Sequence, residues 1–113
     1  MKYALLIYPG RPEEYEQLPE EERRTITAEY LALVAEPGVL GAEQLEPGES
    51  ATTVRAENGK TLMTDGPFAN AKEIVGGLYL LEADDLDRAL DIAARMPALR
   101  FGGAVEVRPV VER

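Results

Sequence analysis

The spacing of apolar positions divides the chain into a short series of elements. Lys2–Tyr8 is an almost continuous apolar run rich in β-formers, the pattern of a strand covered on both faces. Pro9-Gly10-Arg11-Pro12 ends it, and residues 13–18 read as a polar connection. Pro19 followed by Glu20, Glu21 and Glu22 reads as a helix start, with Pro in the first turn and acids at the positive end of the dipole. Ile26, Tyr30, Leu33 and Val34 follow at helical spacing, and Pro37-Gly38 stops the helix, which is placed at roughly 19–36. A short strand is expected over Val39–Leu45 and a turn over Glu46–Ala51.

The clearest local signal comes next. Thr52–Glu57 and Lys60–Thr64 flank Asn58-Gly59, the dipeptide of a type I′ hairpin. A two-residue loop fixes the register: Glu57 faces Lys60, Arg55 faces Leu62, Val54 faces Met63 and Thr53 faces Thr64. Asp65-Gly66-Pro67-Phe68 leaves the hairpin, and Ala69–Glu73 is expected to be a short irregular or helical bridge. Ile74–Glu82 holds Gly76-Gly77 and then Leu78-Tyr79-Leu80-Leu81, a second strand read as buried on both faces. Asp84 or Asp85 caps a helix whose stripe is Leu86, Ala89, Leu90, Ala93 and Met96, with Pro97 ending it. After a glycine-rich turn at Phe101–Ala104, Val105–Val110 alternates, with Val105 and Val107 on one side and Glu106 and Arg108 on the other.

Strand, helix, strand, hairpin, strand, helix, strand is the order of two βαβ units with a hairpin between them. It predicts a ferredoxin-like α+β sheet with both helices on one face. Two helices cannot cover both faces of strands 2–8 and 74–82. A second copy packed sheet to sheet is the expected remedy, and hence a homodimer.

Composition narrows the chemistry. The 113 residues hold no Cys, no His, no Trp and a single Ser, Ser50. That excludes zinc-finger and Fe–S sites, a Cys nucleophile, an imidazole base and a Ser-His-Asp triad. The length fits one domain, 1–113, with a radius of gyration of about 13 Å if compact. The net charge of −9 is unevenly placed. Residues 13–49 hold eleven Glu against Arg23 and Arg24, whereas residues 50–113 hold ten acids and eight bases. This acidic segment is either a solvated helix face or a docking surface for a basic partner. Nucleic acid is disfavoured in both cases, since it needs clustered Lys and Arg. No apolar run reaches the length of a membrane span, and the N-terminal run is shorter than a signal-peptide core, so a cytoplasmic protein is expected.

The opening MKYALLIYPG, the block ATTVRAENGKTLMTDGPFANAKEIVGGLYLLEADDLDRALDIAARMP and the closing VEVRPV together resemble the DGPF proteins, a bacterial branch of the YCII-related superfamily. The resemblance covers nearly the whole chain. It implies a dimeric α/β-barrel of ferredoxin-like protomers, in agreement with the sheet-covering requirement. It also implies a genetic neighbourhood with extracytoplasmic-function sigma factors, and so a sigma-factor-related partner as an alternative role. More distant members resemble small isomerases and lyases, for which an Asp–His pair is the suggested active site. This chain has no His, so that dyad cannot be carried over.

Asp65 is the candidate catalytic residue, either a carboxylate base at a cleft mouth or an acceptor that builds the turn before Gly66 and Pro67. Phe68 is either a core plug or a substrate wall. Lys72 either pairs with Glu73 in solvent or reaches an anionic ligand. Gly76-Gly77 inside a strand signals a bulge or a close backbone approach. Arg55, Glu106 and Arg108 either line a dimer cavity that holds a small anion or stand outward as edge charges. Tyr3, Tyr8 and Tyr79 are candidate hydroxyl donors to the same cavity. No motif calls for a cofactor or a metal.

Overall fold

The computed structural model describes residues 1–68 and 74–113. The expected bridge at 69–73 lies outside the described residues. The elements are β1 (Lys2–Tyr8), α1 (Pro12–Glu16), α2 (Glu20–Val34), β2 (Val39–Gln44), β3 (Thr52–Glu57), β4 (Lys60–Asp65), β5 (Gly77–Glu82), α3 (Leu86–Ala94) and β6 (Ala104–Pro109). Short 3₁₀ turns occupy Gly48–Ser50 and Pro97–Phe101.

Four strands form one antiparallel sheet in the order β2-β5-β1-β6, and β3-β4 form a separate hairpin. The two βαβ units interlock, because β5 of the second lies between β1 and β2 of the first. This is the ferredoxin-like arrangement. The hairpin register is the one expected from the Asn58-Gly59 loop, from Glu57 opposite Lys60 to Thr53 opposite Thr64. Both loop residues have positive φ, 50° at Asn58 and 78° at Gly59, as a type I′ turn requires.

The core lies on one face of the sheet. Tyr3, Leu5 and Ile7 from β1, together with Tyr79 and Leu81 from β5, pack under Leu33 of α2 and Ala89, Ile92 and Ala93 of α3. Val105 and Val107 add to it from β6. The expectation of strands buried on both faces is therefore corrected. In one chain β1 and β5 alternate, with Ala4, Leu6, Tyr8, Leu78 and Leu80 on the face that carries no helix. Leu80 there is 38% exposed.

Three local expectations change. Residues 13–18 are not simply a connection. Pro12 takes the first helical position and Glu13 and Glu14 the first turn of α1, which has no buried residue to betray it as a periodic stripe. In α3, Asp85 is the cap, its carboxylate accepting from the Arg88 amide at 3.0 Å. The buried face is Ala89, Ile92 and Ala93, while Leu86 and Leu90 are about half exposed. Finally, β5 starts at Gly77 and not Ile74. A side chain at Gly76 would press on Pro9 at 3.0 Å, so the glycine pair marks a close backbone approach. The bulge lies elsewhere, between Val39 and Gly41 of β2.

The radius of gyration is 16.0 Å and the extents are 46 × 43 × 19 Å. The chain is thus flatter and wider than the roughly 13 Å of a compact 100-residue domain. The hairpin accounts for much of this, since nearly every one of its residues is exposed.

Candidate functional site

A cleft of about 340 Å³ opens between α2 and the sheet, at the end where β1 and β2 finish and β5 begins. Its floor is Ile7, Ala42, Gly77 and Tyr79, and its wall is Ile26, Thr27, Tyr30, Leu31 and Val34 of α2. Tyr15 of α1 and Phe101 close one side. Their rings meet edge to face, with centroids 6.2 Å apart. The absence of a side chain at Gly76 and Gly77 keeps this end of the sheet low.

The cleft's polar side chains are Tyr15, Thr27, Tyr30, Glu43, Gln44 and Tyr79. The Tyr79 hydroxyl donates to the Tyr30 carbonyl at 2.8 Å. Burial, and secondarily the nearby Tyr30, pushes the Tyr79 phenol up to about 12. Burial raises Tyr30 as well, against a smaller opposing effect of the Ala98 backbone. Both rings are therefore neutral at physiological pH, able to hydrogen-bond but not to act as anionic bases.

A second, open groove of about 440 Å³ runs between α1 and α2 past Glu20, Arg23 and Arg24. Tyr15, Thr27 and Leu31 line both groove and cleft, so the two adjoin.

The residues singled out from sequence do not converge. Tyr79 lies in the cleft. Asp65 ends β4, is exposed, and forms no hydrogen bond through its carboxylate among the described residues. The turn that follows it is built by others: the Gly66 amide donates to the Ala51 carbonyl at 2.7 Å, and the Thr53 hydroxyl donates to the Gly66 carbonyl at 2.7 Å. Arg55 stands 5.6 Å over the Phe68 ring, which is itself 74% exposed and no core plug. Glu106 and Arg108 pair at 2.6 Å on the helix-free face, and the Tyr8 hydroxyl donates to Glu106 at 3.1 Å. Arg108, and then Tyr8, hold the Glu106 carboxyl below its ordinary range. Tyr3 faces the core and donates to the Met1 sulfur at 3.7 Å. Lys72 lies outside the described residues.

The acidic segment is also less free than its formal charge implies. Glu29 takes both guanidinium nitrogens of Arg100, at 2.8 and 3.0 Å. Glu36 pairs with Arg95 and with Arg88. Three arginines of the second half are thus held by Glu29 of α2 and by Glu36 just after it, and they do not line the cleft. Sequence reasoning missed Tyr15, Thr27, Leu31 and Phe101, and treated Tyr30 as stripe alone. Tyr15 was hidden because its segment read as connection. Among the described residues no helix is long and apolar enough to cross a membrane, and no cluster of three or more Asp or Glu is placed to hold a metal ion.

A model of the YCII-related domain matches residues 1–113. The chain belongs to that family. This YCII-related protein is 36% identical, over 97% of its length and 92% of the relative's, to the uncharacterized protein R00369 of Rhizobium meliloti strain 1021. Among solved structures it is similar to a 5-chloro-2-hydroxyhydroquinone dehydrochlorinase, TftG, of Burkholderia phenoliruptrix AC1100. The match has a TM-score of 0.54 and 16% identity, and covers 100% of this chain and 96% of the other. At that identity the likeness shows a common fold.

Proposed function

We propose that this YCII-related protein binds a small, flat, largely apolar organic molecule in the cleft between α2 and the sheet. The observation that carries this is the cleft itself. It is within the size of ordinary ligand sites and is walled mostly by aromatic and aliphatic side chains, with the tyrosines, Thr27, Gln44 and the acid Glu43 as its polar groups. TftG, which has the same fold, is in complex with 2,5-dihydroxybenzoquinone, a flat ring of similar size that carries four oxygens. An enzyme-like role of isomerase or lyase type fits the family's fold, but Asp65 is not at the cleft and the tyrosines stay protonated. Binding is therefore the part of that role best supported by the residues.

The test is an NMR titration of the ¹⁵N-labelled protein with 2,5-dihydroxybenzoquinone and, separately, benzamide. Shifts are expected at the amides of Thr27, Ala42 and Gly77. Leu31→Trp should abolish them, since Leu31 is 63% exposed and a larger ring there obstructs the cleft without crowding the core. No shift at these amides up to millimolar ligand would reject the reading.

We further propose that the working form is a homodimer closed through the helix-free sheet face. Support comes from the apolar centre of that face, Ala4, Leu6, Leu78 and Leu80, which no helix covers among the described residues.

A further inference from the structure

Where α1 and α2 meet, the cations are unequally satisfied. Arg11 holds Glu14 at 2.6 Å, and Arg24 holds Glu20 at 3.0 Å. Arg23, half-buried, has no such partner. Its Nε is shielded from solvent and makes no hydrogen bond, the one buried side-chain polar atom so placed among the described residues. No ion pair to its guanidinium is formed there either. Its backbone is fully engaged, the amide donating to Pro19 and the carbonyl accepting from the Thr27 hydroxyl at 3.1 Å. Leaving a charged donor desolvated and unpaired is costly, and native structures seldom do so without a reason.

The position supplies the reason. Arg23 lines the open groove, and that groove adjoins the cleft along Tyr15, Thr27 and Leu31. Glu20, the acid on the same groove, is already neutralised by Arg24. We propose that Arg23 is an anchoring residue for the anionic group, of carboxylate type, of a ligand whose apolar body occupies the cleft. A planar guanidinium offers a fork of N–H donors matched to a carboxylate, which a lysine does not. This rests on the cleft being a ligand site and adds the class of ligand: a ring or short chain bearing one acid.

The experiment compares acids with their uncharged amides: benzoate with benzamide, phenylacetate with phenylacetamide, and 3-phenylpropionate with 3-phenylpropionamide. The series lengthens the reach from ring to charge. Affinities are measured by NMR titration for the wild type, Arg23→Gln and Arg23→Lys. At least one acid should bind the wild type about tenfold more tightly than its amide, the scale of one charge-assisted hydrogen bond. Arg23→Gln should erase that advantage and leave amide affinities within about twofold, which also shows that the cleft is intact, and Arg23→Lys should keep part of it. If amides bind but no acid gains over its amide, or if the gain survives in Arg23→Gln, the anchoring role is wrong and the cleft reading stands. If neither acids nor amides bind, both fall together.

Discussion

Leu80→Glu should separate the proposed dimer into folded monomers. Leu80 lies on the helix-free face, paired with Ala4 of β1 and Gly41 of β2. It is 38% exposed in one chain, so the folded monomer already keeps it partly in water and a carboxylate there is tolerated. The effect falls on association. Burying the exposed part of one leucine is worth about 0.6–1.1 kcal/mol, from about 1.5–3 for a whole side chain. A carboxylate trapped in the interface costs more, up to the cost of protonating it at pH 7, about 4 kcal/mol for a group that titrates near 4.3. In a two-fold interface each change counts twice. Even at half of that upper value the dimer loses about 5 kcal/mol, a weakening of more than a thousandfold. Leu80→Met, close in volume, should leave it intact. Sedimentation velocity over a micromolar concentration series reads all three proteins, and circular dichroism checks the fold. A wild type that sediments as a monomer, or a Leu80→Glu protein that sediments as a dimer, would refute the reasoning.

The other expectations concern a single chain. Ile92→Ala should cost about 2–5 kcal/mol in urea unfolding, because Ile92 is fully buried, and Leu90→Ala at most about half as much, because Leu90 is 46% exposed. Tyr79→Phe should cost about 1 kcal/mol by loss of its bond to the Tyr30 carbonyl, and in ultraviolet titration Tyr79 should ionise late, near pH 12. Because the folded phenol titrates above its ordinary value of 10, its contribution is complete below pH 10 and lost as pH rises toward 12. Glu36 behaves in the opposite sense. Arg95, and then Arg88, hold it below its ordinary 4.5, so its contribution is present above pH 4.5 and lost as pH falls through the folded value. The gap in melting temperature between wild type and Glu36→Gln should therefore close on acidification below pH 4.5.

Much of the fold was legible because short-range chemistry and topology agreed. The Asn58-Gly59 loop dictates pairing residue by residue, and no tertiary contact is needed to read it. The strand and helix order sufficed for the interlocked sheet, since right-handed crossovers leave few ways to join two βαβ units. Face assignment was harder. In β1 an unbroken apolar run carries no period, so which side chains meet helices was settled only by the pairing of Leu5 with Tyr79 and Val107. In α3, Leu86, Ala89, Leu90 and Ala93 make as good a stripe as Ala89, Ile92 and Ala93. Leucine and isoleucine are isomers of equal size, so only packing against β1 and β6 selects the isoleucine.

The candidate site was less legible, for a reason that also bears on its chemistry. Asp65 and Phe68 attract attention because they lie close in sequence, yet both are exposed and neither lines the cleft. The cleft is assembled from α1, α2, β1, β2, β5 and the turn after α3, five residues from α2 and one to three from each of the others, and no local window contains it. Its makers are also residues with an ordinary structural use: Tyr30 and Leu31 read as helix stripe and surface, Tyr15 as part of a connection. What distinguishes them is a void between them and, beside it, one arginine whose Nε is buried without an acceptor. In a chain without histidine the chemistry available there is recognition by shape, by neutral phenols and by that guanidinium, with Glu43 and Gln44 also on the lining. A ligand that satisfies all three carries its own acid, and any proton it exchanges must travel between the ligand and water or a carboxylate at the cleft rim, because Tyr79 keeps its proton to about pH 12.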